Sequence, residues 1–193
     1  SSLVSFGDAP NVAGLTQPPE FDARLFAGLE KPVWDSVALA VQAHVTNAVI
    51  AAAGRAMPIE YDGSAKRLES VLAKRRDALS KAADQYYRQL AARVAVHGTD
   101  SSDRATVTRV SDGVVDVRLE SMGRVFFARR FDSRETREIL IYLHGGDDTA
   151  FVTGRVQESI KIRIIGGNGT NTFADSSTVA GRRGVARLYD VGT

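Results

Sequence analysis

Ile160-Lys161-Ile162-Arg163-Ile164-Ile165-Gly166-Gly167-Asn168-Gly169-Thr170-Asn171-Thr172-Phe173 is the stretch whose reading decides the fold. A short apolar strand runs into a glycine-rich turn and straight out into a second short strand. An earlier copy precedes it: Glu138 to His144, then Gly145-Gly146-Asp147-Asp148, then Thr149 to Thr153. The diglycines begin at positions 145 and 166, a spacing close to one coil of a β-solenoid or two strand passes of a rolled sheet. Glycine supplies positive φ at little steric cost, so both turns read as tight reversals between strands.

Upstream of these copies the period is already that of strands. Thr106 to Val110, Val114 to Leu119 and Arg124 to Phe131 alternate apolar and polar residues, and Ser111-Asp112-Gly113 reads as a hairpin turn. A last strand is expected over Gly184 to Tyr189. Further back the period is helical. Pro18-Pro19-Glu20 opens a short helix carrying Phe21, Leu25, Phe26 and Leu29, and Pro32 opens another that is expected to bury Val33, Val37, Val41 and Val45. Asn47 to Ala56 continues or restarts it, and Pro58 ends it. Ser64 and Ser80 are candidate N-caps for two later helices, the first lined by Leu68, Val71, Leu72 and Leu79. The second carries Tyr86, Tyr87, Leu90 and Val94, and the helical region is expected to end near Val96. The fold class is therefore α+β: an α-helical subdomain over 1–98, then an all-β, rolled-sheet or short β-solenoid-like subdomain over 99–193.

A chain of 193 residues with 44% hydrophobic and 25% charged residues is ordinary for a globular protein. A formal charge of +2 carries no sign of a nucleic-acid partner. The absence of cysteine removes disulfides, thiolate catalysis and cysteine metal sites. No run reaches the length of a spanning helix, so no membrane insertion by this chain is expected. The sequence opens at Ser1 without methionine and stops at Thr193 just after a strand, so both ends read as cut from something longer.

Candidate chemistry is sparse. Gly166 to Phe173 resembles the hemolysin-type (RTX) nonapeptide, in which turn carbonyls and an aspartate hold Ca²⁺ between coils. That resemblance implies a Ca²⁺ alternative using Asp147, Asp148, Asn168 and Asn171, with Phe173 pointing inward. Asn171 stands where the aspartate should be, and the earlier copy lacks the third glycine and reads as one residue short, so ion-free turns are the preferred reading. On that reading Phe173→Ala is expected to be costly and Asn171→Ala mild. His144 beside the acidic turn reads as a strand-end residue, and neither His44 nor His97 forms a metal pair with it by spacing. Arg75 and Arg76 read as a solvated helix face, and Asp132, Glu135 and Glu138 as salt partners of the arginines around them. No phosphate loop, nucleophile elbow or H-E-x-x-H motif is present, so catalytic residues are none and the reading leans away from an enzyme.

A wider resemblance covers nearly the whole chain. Leu3-Val4-Ser5-Phe6-Gly7, Val33-Trp34-Asp35-Ser36-Val37, Lys74-Arg75-Arg76-Asp77-Ala78-Leu79 and Thr136-Arg137-Glu138-Ile139 leading to Leu143-His144-Gly145-Gly146-Asp147-Asp148 carry it. The chain resembles a middle portion of large bacterial envelope polypeptides that end in an outer-membrane barrel of the surface-antigen (BamA/TamA-like) type. The resemblance implies localisation in the bacterial cell envelope, with the other domains of a longer parent as partners. It also implies a β-rich segment preceding the barrel and helices trailing a kinase-like lobe, with some relatives carrying a metallophosphoesterase domain. The function expected is a non-catalytic structural or connector module with no resident cofactor. The alternatives are a Ca²⁺-binding β-roll-like module and the helical tail of a phosphotransfer domain whose catalytic motifs lie elsewhere.

Overall fold

The computed structural model describes residues 20–58, 62–181 and 184–190. The chain is α+β: five helices, then strands in mixed sheets with no closed barrel among the described residues. It divides into two compact units. One holds Glu30–Tyr87; the other holds 20–29 and the residues from Arg88 onward. The Leu3-Val4-Ser5-Phe6-Gly7 motif lies outside the described residues.

The first unit contains α2 (Lys31–His44), α3 (Asn47–Arg55), α4 (Asp62–Asp77) and most of α5 (Leu79–Ala91), while α1 (Glu20–Leu25) belongs to the second. Helix α2 starts at a proline in its first turn, and α3 restarts where the Thr46 hydroxyl accepts the Val49 N–H at 3.2 Å. The two are bent by 56° at that break. No single described helix is long and apolar enough to cross a membrane, although this bent pair passes by length and composition together. The expected valine seam is not buried: Val33, Val37 and Val41 are 43%, 57% and 43% exposed, and Ala38 and Ile50 take the interior instead. Periodicity identifies a face but not what covers it.

Both expected serine caps give way. Helix α4 begins at Asp62, so Ser64 lies in its first turn, and Ser80 sits inside α5 with its hydroxyl donating to Gln42 Oε1 at 2.7 Å. Gln42 Nε2 in turn donates to the Arg76 carbonyl at 2.8 Å, tying α2 to the α4–α5 join. Arg76 is no solvated bystander. Its guanidinium donates to the Val45 carbonyl at 3.1 Å and to Asn47 Oδ1 at 2.7 Å, closing the C-terminus of α2. Trp34 packs edge-on to Tyr86 with ring centroids 6.0 Å apart.

In the second unit the helix expected to reach Val96 stops at Ala91, and Arg93–His97 is strand β1, inserting Val94 and Val96 into the core. Strands β2 (Asp103–Ser111), β3 (Val114–Ser121) and β4 (Arg124–Asp132) form the antiparallel meander that the alternation predicts, with the hairpin glycine Gly113 at φ +72. Everything after it pairs in parallel. Strands β5 (Glu138–Tyr142), β6 (Thr149–Thr153) and β7 (Arg155–Val156) are followed by β8 (Lys161–Ile165), β9 (Thr172–Asp175) and β10 (Thr178–Val179), then β11 (Ala186–Tyr189). Each strand of the second set lies on its counterpart in the first: Glu138 beside Lys161, Thr149 beside Thr172, and Arg155 beside Thr178. The offset is the same on all three sides, and β11 is laid on β8 with Ala186 beside Ile162. Parallel neighbours normally need a crossover helix; here the rest of the coil is the crossover.

The result is a four-stranded sheet β1-β5-β8-β11 and a five-stranded sheet β4-β3-β2-β6-β9, with β10-β7 as a short third pair. Strand alternation turns Ile139, Ile141, Ile162 and Ile164 inward from the first sheet, and Ala105, Val107, Ala150 and Val152 inward from the second. All eight are 0% exposed and form one core. Removing a buried isoleucine or valine side chain from water stabilises by about 1.5–3 kcal/mol, which makes this core the main support of the unit.

Candidate site at the stacked turns

The turns after β1, β5 and β8 lie one above another, because each joins strands that already stack in register. That register corrects the sequence reading of the glycines. Tyr142 pairs with Ile165 and Thr149 with Thr172, so the two turns are equal in length and neither is a residue short. His144 then lies opposite Gly167, and Gly146 opposite Gly169. Both stacks have positive φ: +70 and +88 in the first, +108 and +103 in the second. The diglycines are therefore not equivalent pairs, and a histidine carries the left-handed conformation that glycine carries one coil later.

Stacked turns bring backbone N–H groups over one another with no strand ladder to satisfy them, so side chains must. Asp103, Asp148 and Asn171 occupy one register position in successive coils and do this. The Asp103 N–H donates to Asp148 Oδ1 at 2.8 Å, and the Asp148 N–H donates to Asn171 Oδ1 at 3.2 Å. At the first rung, Asp103 accepts the Thr99 N–H at 2.6 Å and the Thr99 hydroxyl at 2.9 Å. At the last, Asn171 Nδ2 donates to Asp190 Oδ1 at 2.8 Å. Asp147 Oδ1 accepts the Thr170 N–H at 2.8 Å, and the Asn168 N–H donates to the His144 carbonyl at 2.7 Å.

Of the four Ca²⁺ candidates, then, Asp148 and Asn171 are joined directly, Asp147 is engaged with Thr170, and the Asn168 side chain is exposed. Among the described residues no group of three His, Asp or Glu side chains is placed to hold a metal ion. The expectation that Asn171→Ala is mild also changes. It would strip the acceptor from a buried N–H, a loss of about 1–2 kcal/mol measurable by chemical denaturation.

Asp148 is the unusual member. It is 1% exposed, and its Oδ2 has no partner among the described residues. Burial pushes its carboxyl up to about 6; the hydrogen bond from the Asp103 N–H opposes the rise, and the charges of Asp103 and Asp147 add to it. Between the unfolded value near 3.8 and about 6, the folded chain holds a proton that the unfolded chain has released. This contribution to stability is therefore full below pH ~4, falls as pH rises to ~6, and stays lost above that. Asn fits the same position one coil later. Asp148→Asn is thus expected to stabilise the protein by about 1–3 kcal/mol at pH 7 and to flatten the dependence between pH 4 and 6, read from denaturation midpoints.

Two further features escape sequence spacing. His97 and His144, separated in sequence, meet with Nδ1···Nε2 at 2.9 Å, and the His97 ring stacks on Tyr142 with centroids 5.1 Å apart. Burial first, then the charges of Arg24 and His144, hold the His97 imidazole below its usual pKa, with Glu20 opposing. Register supplies the missing signal, because His97 is the β1 partner of Tyr142. Arg109 is the other: 2% exposed, it points inward from β2 in the same alternation as Ala105 and Val107. Its Nε donates to the Ser177 hydroxyl at 3.1 Å and its Nη1 to the Ser159 hydroxyl, pinning the loops that follow β9 and β7. Burial lowers its pKa and the charge of Asp175 opposes.

The charged residues around β4 and β5 do pair, with partners of their own. Arg130 binds Asp116 at 2.7 Å, Arg134 binds Asp132 at 2.6 Å, and Glu138 takes Arg93, Lys161 and Arg163. A groove of about 310 Å³ between α2, α3 and α4 is lined by Val41, Val45, Val49, Ile50, Leu72 and Leu79, beside Arg75 and Arg76, with no acid–base pair in its wall. Compared with known proteins, the chain matches no family model, no curated protein and no solved structure.

Proposed function

We propose that this chain is a non-catalytic structural module: a helical part and a short solenoid-like part that act as scaffold or connector within a longer bacterial envelope polypeptide. One observation carries the reading. At the stacked turns Asp148, Asn171 and Asp147 each give one side-chain oxygen to a backbone N–H of the neighbouring coil, so these oxygens do not converge on a common point where a ligand would sit. Constant coil offset and a continuous aliphatic core support the solenoid-like description. The envelope setting rests on the resemblance. The motifs behind it have structural uses here: Trp34 packs on Tyr86, Arg76 closes α2, and Thr136 is buried beside the start of β5.

Thermal melting against a panel of ligands tests the absence of catalysis. ATP with Mg²⁺ and divalent cations at millimolar concentration should each shift the midpoint by less than ~1 °C, since binding to the folded state must raise it. A rise of several degrees with ATP would favour the phosphotransfer alternative instead.

A further inference from the structure

The ladder of acids and amides leaves one polar contact of the stacked turns without a use. His97 Nδ1 and His144 Nε2 lie 2.9 Å apart, one ring at the end of β1 and the other just past β5. The rings are inclined by only 15° with centroids 5.1 Å apart, so they meet edge to edge, nitrogen against nitrogen. Tyr142 lies alongside the His97 ring, and both histidines are partly buried. A hydrogen bond between two imidazole nitrogens needs a hydrogen on one and a bare lone pair on the other. Two neutral rings meet that condition, and so do one neutral ring and one imidazolium. Two imidazolium rings do not: every ring nitrogen then donates, no acceptor is left, and like charges face each other across the contact.

The bond matters because of where His144 stands. Its φ is +70, and Gly167 takes +88 at the same place one coil later. Glycine adopts that conformation freely, whereas a histidine there must be held by its surroundings. The backbone on either side of the ring contact joins the turns: the Gly98 N–H donates to the Tyr142 carbonyl at 2.7 Å, and the Asn168 N–H to the His144 carbonyl at 2.7 Å. Charges surround the pair from several elements. Arg24 and Glu20 of α1 act on His97 with opposite signs. Asp147 and Asp148 share the turn with His144, and Asp100, in the loop after β1, would lie 3.8 Å from a Cβ at Gly145. We propose that His97 and His144 form a proton-operated latch, which fastens turn 143–148 to the end of β1 near neutral pH and releases it in acid.

Burial first, then Arg24 and His144, hold His97 below its ordinary value near 6.5. Below 6.5 the unfolded chain takes up a proton that the folded chain resists, so the latch stabilises fully above ~6.5 and less as pH falls. Asp148 works the other way over an overlapping range, so Asp148→Asn is the background in which the pair is read. The latch does not depend on the scaffold reading. Amide exchange followed by NMR, corrected for intrinsic rates, is the measurement. Between about pH 7.5 and about pH 5, protection at Gly98 and Asn168 should drop at least ~10-fold relative to Ile164 in the core. His144→Gly keeps the left-handed backbone, and His97→Asn keeps a partner near Nδ1 that does not titrate; in each the drop should shrink below ~2-fold. The His97 ring should also titrate at higher pH once His144 is glycine, because a neighbouring charge is gone. Equal protection at the two pH values in the background protein, an undiminished drop in either variant, or an unmoved His97 midpoint would overturn the proposal. One variant suffices if the other does not fold.

Discussion

Gly146→Ala is expected to cost about 3–5 kcal/mol, while Gly145→Ala beside it costs less than about 0.5 kcal/mol. The two glycines look interchangeable in sequence but differ in what the fold asks of them. Gly146 has φ +108, and a Cβ there would stand 2.6 Å from the Ser101 carbonyl carbon and 2.7 Å from the Ser102 nitrogen, both backbone atoms of the neighbouring coil. Neither atom can move without disturbing the turn beneath. Gly145 has no positive φ, and its nearest neighbour would be Asp100 at 3.8 Å, an ordinary contact. Equal urea-denaturation midpoints for the two variants would mean that the turns do not stack in this register.

The second large effect lies in the core. Ile164→Ala should destabilise by about 3–5 kcal/mol and Leu188→Ala by only about 1–2 kcal/mol, because the cost follows buried volume and the ability of neighbours to close the gap. Ile164 is 0% exposed, paired with Ile141 on one side and Leu188 on the other, so deletion leaves an enclosed cavity. Leu188 is half-buried on an edge strand, and solvent reaches the space it vacates. Phe173 follows Leu188 in this respect: it packs against the core from the last coil without being enclosed, so Phe173→Ala belongs to the lower part of the range for aromatic deletions. Guanidinium titrations of the three variants would give the order directly.

Much of the architecture was legible because local patterns are strong where one face is buried. The β2–β3–β4 alternation and the Asp112-Gly113 turn needed no tertiary information. The repeated strand–turn–strand unit was visible too, but its register was not. Matching diglycines shifted the alignment, whereas the chain aligns strands and lets His144 take a glycine's conformation. Strand β1 was missed because Arg88 to Val96 contains no glycine or proline to mark where α5 ends, and valines at 94 and 96 suit either period. The ladder of Asp103, Asp148 and Asn171 and the meeting of His97 with His144 depend on which coil lies on which. Spacing along the sequence carries no record of that. Arg109 was accessible in principle, since strand parity alone sends it inward beside Ala105 and Val107.

The central claim is that hydrogen bonds between coils, with no ion, hold the stacked turns together. Thermal melting of the parent and of Asp148→Asn at pH 7, with and without millimolar Ca²⁺, tests it most directly. The account predicts that Asp148→Asn melts higher than the parent and that Ca²⁺ moves neither curve. A Ca²⁺-dependent rise of several degrees in the parent, lost in Asp148→Asn, would contradict it.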